Sequence, residues 1–112
     1  MMEEINPKAN DLYIPEGVTF VGTINAPGLA EINGTVTGEI TCNKINIGPL
    51  GDINGKIRAK EIDVYGSLMN DVICQGLLQI RKTGLVSGKL TYSDLDIERG
   101  GRFEGEMTNS SS

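Results

Sequence analysis

The sequence predicts an all-β protein that folds as a single-domain parallel β-helix, a solenoid of about six coils. Three observations predict this class. A phrase of the form apolar-x-Gly-x-apolar recurs in steps of 15 to 18 residues, and a period of this size is typical of solenoids. From Val18 onward, apolar and polar residues alternate at period two, as in strands. No window shows clear helical periodicity, and the 15 glycines would interrupt most candidate helices.

The copies of this phrase align into columns of apolar residues. An antiparallel meander would place turns about every 8–12 residues, whereas a phrase that repeats near every 17 residues in one direction fits a coil of about three short strands. Each strand would stack on its copy in the next coil, about 4.8 Å away. The predicted interior columns are Phe20, Val36, Ile53, Leu68, Val86 and Phe103; Ile24, Ile40, Ile57, Val72, Leu90 and Met107; Ile45, Ile62, Leu78 and Leu95; and Ile47, Val64, Ile80 and Ile97.

A column of small residues lies between the first two of these columns. Glycine tolerates a left-handed backbone, and asparagine is the other residue that does. A single asparagine in a column that otherwise consists of glycines therefore indicates a bend with positive φ. The alternative is that a small residue simply fits at this position. The column consists of Gly22, Gly38, Gly55, Asn70, Gly88 and Gly105.

The outward column that follows the glycines alternates in charge. It reads Thr23, Glu39, Lys56, Asp71, Lys89 and Glu106. Stacked neighbours would lie about 5 Å apart, a spacing that favours opposite charges. We interpret the column as a register-setting ladder on the solvent face. The alternative is a pair of carboxylates acting as acid and base, but each carboxylate would have a cation beside it.

The two cysteines share a column of mostly small residues with Ala26, Ala59 and Tyr92, but they lie two coils apart. That spacing of about 9–10 Å is too long for a disulfide, which needs Cα atoms within about 7 Å. Cys42 and Cys74 are therefore predicted to be free, partly buried thiols. A metal or redox role is the alternative, although the chain has no CxxC motif.

Composition disfavours several functions. The net charge of −5 disfavours nucleic acid and anionic lipid as partners. The chain has no histidine, which is the usual general base and the commonest metal ligand. No apolar run approaches the ~20 residues of a membrane span, and Glu3 and Glu4 do not fit a secretory signal. We therefore expect a cytoplasmic protein without catalytic residues, cofactor or metal.

Three segments are predicted along the chain. Residues 1–14 are expected to form a disordered tail, and the alternative is a tail that binds a membrane or a partner. Residues 15–107 form the β-helix. Residues 108–112 are small and polar, and they are expected to be disordered.

A β-helix has two open ends, and their unpaired N–H and C=O groups template further pairing unless they are capped. No cap helix is predicted at the C-terminus. Instead, the first interior column begins with Phe20 and ends with Phe103, the two phenylalanines of the chain. The sequence therefore predicts that copies stack end to end into a rod and then a filament.

The recurring phrase, the coil length and the run Ile32-Asn33-Gly34-Thr35-Val36-Thr37-Gly38-Glu39-Ile40 resemble the bactofilins, which are bacterial polymer-forming cytoskeletal proteins. The resemblance covers about Pro15 to Met107. It implies a right-handed, three-sided β-helix that polymerises without nucleotide into non-polar filaments, with subunits head-to-head and tail-to-tail. It also implies scaffolding of cell-envelope and morphogenesis proteins, including peptidoglycan-modifying proteins.

The resemblance also points to particular residues. An aromatic residue in the family's last coil supports polymer contact, and Phe103 is the matching position. Many members carry an apolar, often basic tail that targets the membrane, a pattern from which Met1-Met2-Glu3-Glu4-Ile5 departs. We therefore expect the cytoplasm, with the inner face of the cell membrane as the alternative. The expected polymer interface comprises Phe103, Met107, Leu95, Ile97, Phe20 and Val18.

Three alternative functions compete with this hypothesis. Hexapeptide-repeat acyltransferases and β-helical carbonic anhydrases also use stacked coils, but they require a histidine and a six-residue spacing that this chain lacks. A soluble β-helical adaptor would bind a protein partner through its side face without polymerising. A fragment of a long extracellular β-solenoid is disfavoured by the two polar tails and by Met1.

Overall fold

The structure is a computed structural model that describes residues 12–109. This range contains ten strands and no helix, and its strands pair in parallel, so the predicted all-β parallel β-helix is confirmed. The strands are β1 (Leu12–Ile14), β2 (Thr19–Ile32), β3 (Thr35–Ile47), β4 (Asp52–Ala59), β5 (Glu61–Val64), β6 (Ser67–Cys74), β7 (Leu77–Ile80), β8 (Leu85–Tyr92), β9 (Asp94–Ile97) and β10 (Arg102–Asn109).

Each complete coil passes through two stacked ladders. The first ladder contains the first halves of β2 and β3, and then β4, β6, β8 and β10. The second contains β1, the second half of β2, the second half of β3, and then β5, β7 and β9. The six coils are therefore β2, β3, β4–β5, β6–β7, β8–β9 and β10, and β1 lies beneath the first of them.

The pairing register reproduces the predicted columns residue for residue. Phe20 pairs with Val36, and the series continues through the same column to the pairing of Val86 with Phe103. The uneven period has a simple origin. In a complete coil, eight residues lie in the first ladder and four in the second. The link between the two ladders contains one or two residues, and the turn that leads to the next coil contains two or four. Length therefore varies only outside the ladders, where insertions leave the backbone pairing intact.

The interior is a continuous stack of aliphatic side chains. Ile53, Ile57, Ile62 and Val64 of the third coil are all buried, and the neighbouring coils bury the corresponding residues. No polar or charged residue between Leu12 and Asn109 is buried. Each fully buried aliphatic side chain stabilises the fold by roughly 1.5–3 kcal/mol before conformational entropy is subtracted. The ladder of buried side chains thus provides the main stabilisation of the solenoid.

The column of small residues is a bend with positive φ, as predicted. Gly38 and Gly55 have φ of 135° and 147°, and Asn70 has φ of 94°. Asn70 is the one non-glycine residue with positive φ in the described range, and its side-chain amide donates a hydrogen bond to Asn54. The bend lies within the strands of the first ladder, between the column of Val36 and the column of Ile40.

The solenoid begins earlier in the chain than predicted. Leu12–Ile14 was assigned to the N-terminal tail, but it forms β1, which pairs with Ala30–Ile32. The prediction missed this strand because three residues are too few to show a period, while the exposed edge of β2 supplies the pairing partners. At the other end, β10 continues to Asn109, two residues past the predicted boundary. The tails predicted for residues 1–11 and 110–112 lie outside the described residues.

Candidate functional site

The two ends of the solenoid expose strand edges. At the C-terminal end, β10 pairs only with β8, and β9 pairs only with β7, within the described chain. At the N-terminal end, the first half of β2 and all of β1 have a partner on one side only among residues 12–109. These edges carry backbone N–H and C=O groups that another strand could pair with.

Four of the predicted interface residues lie in the last two coils. Phe103 and Leu95 are partly buried and pack against the core. Met107 and Ile97 are each 40% exposed, although they occupy interior columns. In the preceding coil, the residues of the same columns are buried; they include Val86 below Phe103 and Leu90 below Met107. The exposure arises because no further coil of the described chain covers this end.

The other two predicted residues lie at the N-terminal end. Phe20 is partly buried against the core, and Val18 is exposed in the turn before β2, where its amide donates to the carbonyl oxygen of Pro15. The prediction missed two further apolar residues at this end, Val21, which is 72% exposed, and Tyr13. A signal for Val21 was present in the sequence, because it occupies an outward column whose other members are mostly polar.

Both described ends of the solenoid carry a net negative charge. The last coil and the strand before it, residues 94–106, carry five carboxylates and two guanidinium groups, a net charge of −3. Arg102 forms an ion pair with Glu104 at 2.9 Å, and Arg81 forms an ion pair with Glu98 at 3.2 Å. The other three carboxylates at this end have no cation within 4.0 Å in residues 12–109; they belong to Asp94, Asp96 and Glu106. At the N-terminal end, residues 12–32 carry two exposed carboxylates, Glu16 and Glu31, and no cation.

The outward charge column is stacked in the predicted register. Lys56 lies between Glu39 and Asp71, and Lys89 lies between Asp71 and Glu106. No ion pair within 4.0 Å joins these side chains in the part of the chain that the structure describes. The predicted stacking is confirmed, and the stacked charges do not form ion pairs. The physical reason is that long, exposed side chains gain little from direct contact in water and lose rotamer freedom by making it.

A different ion-pair network, which sequence reasoning missed, connects three coils on the other side of the solenoid. Arg81 donates to both carboxylate oxygens of Asp63, at 2.6 and 3.1 Å, and to Glu98 at 3.2 Å. Its guanidinium also lies 5.5 Å from the centre of the Tyr65 ring. The hydrogen bonds to Asp63 raise the pKa of Arg81. The network borders a shallow groove of about 330 Å³ lined by Glu31, Asn33, Asn46, Gly48, Pro49, Asp63 and Tyr65.

The side chains between Leu12 and Asn109 offer little for chemistry. Both cysteines are free and buried, as predicted for their thiols. Burial raises the pKa of Cys42 to about 11 and also raises the pKa of Cys74, so both are neutral thiols near pH 7. Within the described range, no group of three or more His, Cys, Asp or Glu side chains is placed to hold a metal ion. The two ends are thus the outstanding candidate site.

No helix in the described residues is long and apolar enough to cross a membrane.

Comparison with protein families gives one match, which covers almost the whole chain. The family model described as "Bactofilin: Polymer-forming cytoskeletal" matches residues 12–108. The match begins at the first residue of β1, so it includes the strand that the sequence prediction missed. A search of curated proteins found no match, and neither did a search of solved structures.

Proposed function

Because the chain belongs to the bactofilin family of polymer-forming cytoskeletal proteins, we propose that it self-assembles end to end into filaments without nucleotide. In this proposal, subunits meet head-to-head through their N-terminal ends and tail-to-tail through their C-terminal ends, so the filament is non-polar. The filament acts in the cytoplasm as a scaffold for cell-envelope or morphogenesis proteins. Its role is structural and not catalytic.

One observation carries the proposal. Both ends of the described solenoid combine an unpaired strand edge with exposed apolar side chains, which are Ile97 and Met107 of the interior columns at the C-terminal end and Tyr13, Val18 and Val21 at the N-terminal end. An edge of this kind pairs with another chain unless charge, proline or a covering element blocks it. Between Leu12 and Asn109 no helix covers either end. A second copy of the chain offers the matching edge and the matching apolar columns.

The proposed tail-to-tail contact uses Phe103, Met107, Leu95 and Ile97. Phe103 continues the interior column beyond Val86, and Met107 continues the column beyond Leu90. Burying these side chains against a second copy would remove apolar surface from water, which is the dominant favourable term in protein association. The proposed head-to-head contact uses Phe20 and Val18, to which the structure adds the exposed Val21.

Negative-stain electron microscopy of the pure protein, without nucleotide or metal, tests the proposal. We expect filaments a few nanometres wide from the unaltered chain. In Phe103→Arg we expect short particles, since a tail-to-tail contact would have to desolvate two new charges. Met107→Arg provides a second variant at the same end, whose side chain is already 40% exposed and therefore less able to disturb the fold.

Leu50→Arg is the matched control. Leu50 is exposed in the turn between the second and third of the six coils, so it lies in neither terminal coil. It adds the same charge, and we expect normal filaments. Filaments in both end variants would contradict the proposed C-terminal contact. A uniform small particle from the unaltered chain would instead favour a non-polymerising adaptor, with the groove beside Tyr65 as its candidate binding surface.

A further inference from the structure

One side of the solenoid carries charges that form no ion pair within the described chain. Its first outward column is exposed and reads, from the second coil to the last, Glu39, Lys56, Asp71, Lys89 and Glu106. The neighbouring outward column reads Thr41, Arg58, Ile73, Thr91 and Thr108. We call these two columns the alternating face. None of its charged side chains has an opposite charge within 4.0 Å in residues 12–109.

The alternating face is electrically balanced, although the net charge of the chain is −5. It contains three carboxylates and three cations, and each coil contributes charges of one sign. The outward residues of the second ladder include five carboxylates and one cation; they are Glu31, Glu61, Asp63, Asp94, Asp96 and Lys44. Two copies that met through that acidic side would repel each other, because like charges across an interface are unfavourable.

Two-fold symmetry determines how the alternating face can meet a copy of itself. If the two solenoids run parallel, each coil faces the same coil of the other copy, so charges of the same sign meet. If they run antiparallel, the order of the coils is reversed. A contact centred between the third and fourth coils then overlaps all six coils and places opposite signs together. In this contact Lys56 faces Asp71 and Glu39 faces Lys89, each pair occurring twice because of the symmetry.

We infer that two copies of the chain bind side by side and antiparallel through the alternating face. Exposed ion pairs each contribute little, so one pair of chains binds weakly. Copies that are already joined end to end repeat the contact along the filament, and the repeated contacts reinforce one another. This reinforcement rests on the proposed function. The contact itself goes beyond the proposed function, because it joins the sides of two solenoids and not their ends.

Zero-length carbodiimide cross-linking of the full chain tests the inference, because it joins a carboxylate to an ammonium group in direct contact. Within one chain, Glu39 and Lys89 lie three strand spacings apart, about 14 Å, which exceeds the reach of their side chains. Contacts through the ends join terminal coils and cannot bring the second coil to the fifth. A Glu39–Lys89 cross-link therefore reports the antiparallel side contact.

Unlabelled and heavy-isotope-labelled chains are mixed at about 1 M NaCl, where the Debye length is about 3 Å, and transferred to about 10 mM NaCl, where it is about 30 Å. We expect mass spectrometry to show the Glu39–Lys89 cross-link between labelled and unlabelled chains at the lower concentration. Its yield should fall about tenfold when the cross-linking is done at the higher concentration, because salt screens exposed charges. Absence of this cross-link at about 10 mM NaCl would overturn the inference.

Reversing charges at the centre of the contact tests its register. Lys56→Glu turns two of the four opposed pairs into like pairs, so the cross-link yield should fall about tenfold. Adding Asp71→Lys makes these two pairs opposite again, so the double variant should recover most of the yield. Within its own chain the double variant stacks like charges against Glu39 and against Lys89. A column that acts only within one chain would therefore give no recovery, and that result would overturn the inference.

Lys82→Glu is the matched control. Lys82 is exposed in the turn before β8, outside both ladders, and its substitution makes the same change in net charge. We expect the yield of the unaltered chain. An equal loss of yield in Lys82→Glu and Lys56→Glu would mean that net charge is the cause, and it would overturn the inference.

Electron microscopy of the same samples separates the inference from the proposed function. Filaments without the Glu39–Lys89 cross-link would overturn the side contact and leave end-to-end assembly in place. The cross-link without filaments would overturn end-to-end assembly and support the side contact.

Discussion

Val86 and Phe103 occupy the same interior column one coil apart, yet Val86 is fully buried and Phe103 is only partly buried. Leu90 and Met107 form a second such pair, with 1% and 40% of their surfaces exposed. In a middle coil, coils on both sides cover each apolar side chain, whereas the last coil has a neighbour on one side. Burial in this fold therefore comes from stacking and not from the strand itself. The interior columns are therefore exposed at the C-terminal end of the described chain, whereas at the N-terminal end β1 lies beneath Ile32 and Ile24 is buried.

The largest expected effect comes from placing one substitution at two positions of a single column. Ile53→Arg would bury a charge without a partner in a middle coil, at a cost of several kcal/mol, so we expect the β-helix not to form. Phe103→Arg can extend its charge into solvent from the last coil, so we expect the β-helix to persist. Far-UV circular dichroism with thermal unfolding measures both. A folded Ile53→Arg protein would show that the middle coils are less tightly stacked than the structure indicates.

The glycine column allows a finer comparison. A Cβ at Gly55 would overlap the carbonyl oxygen of Gly38 in the preceding coil, whereas a Cβ at Gly22 would meet only the Phe20 ring, at 3.5 Å. Both positions have positive φ, which costs an alanine about 1 kcal/mol or more. Gly55→Ala should therefore lose about 3 kcal/mol or more in urea unfolding, and Gly22→Ala about 1 kcal/mol. Similar losses at both positions would mean that φ, and not contact between coils, determines the cost.

The two thiols provide the smallest and most local test. Cys42 lies in the second coil and is 8% exposed, whereas Cys74 lies in the fourth coil, is 1% exposed and donates to the carbonyl oxygen of Lys60 at 3.4 Å. Both should react with iodoacetamide far more slowly than a small thiol at pH 8, because burial raises both pKa values and blocks access. Cys42 should react faster, since repeat proteins open most easily near their ends.

Mass spectrometry of the alkylated peptides gives the two rates. Filament formation should slow the reaction of Cys42 more than that of Cys74, because a neighbouring subunit would hold the first coil closed. Faster labelling of Cys74 would contradict opening from the ends and would point to local opening in the fourth coil.

The repeated columns were the part of the fold that sequence reasoning predicted well. The same five-residue phrase at Val36, Ile53 and Leu68 indicated which residues stack, and the backbone pairing has that register. The asparagine at position 70 identified the positive φ of a whole column, because only glycine and asparagine occupy it. The spacing of Cys42 and Cys74 predicted that they do not form a disulfide, since the distance between stacked strands is nearly constant in this fold.

Side-chain contacts between coils were predicted less well. The alternating charges around Lys56 indicated how these residues stack, while the ion-pair network centred on Arg81 went unnoticed. Arg81 lies in a turn, outside the columns that repeat, and it reaches Asp63 in the coil before it and Glu98 in the coil after it. The sequence period gives no information about such contacts, because they depend on side-chain rotamers and on the course of the turns.

The sequence by itself determined the parallel β-helix, its coil boundaries and its stacking register, because each of these follows from the regular spacing of apolar residues and glycines. Only the tertiary structure decided that Leu12–Ile14 joins the solenoid, how far Ile97 and Met107 are exposed, and that Asp94, Asp96 and Glu106 have no cation within 4.0 Å in residues 12–109. The physical reason is that a repeating sequence specifies what each coil offers to its neighbours, whereas exposure and charge at an end depend on which neighbours are missing.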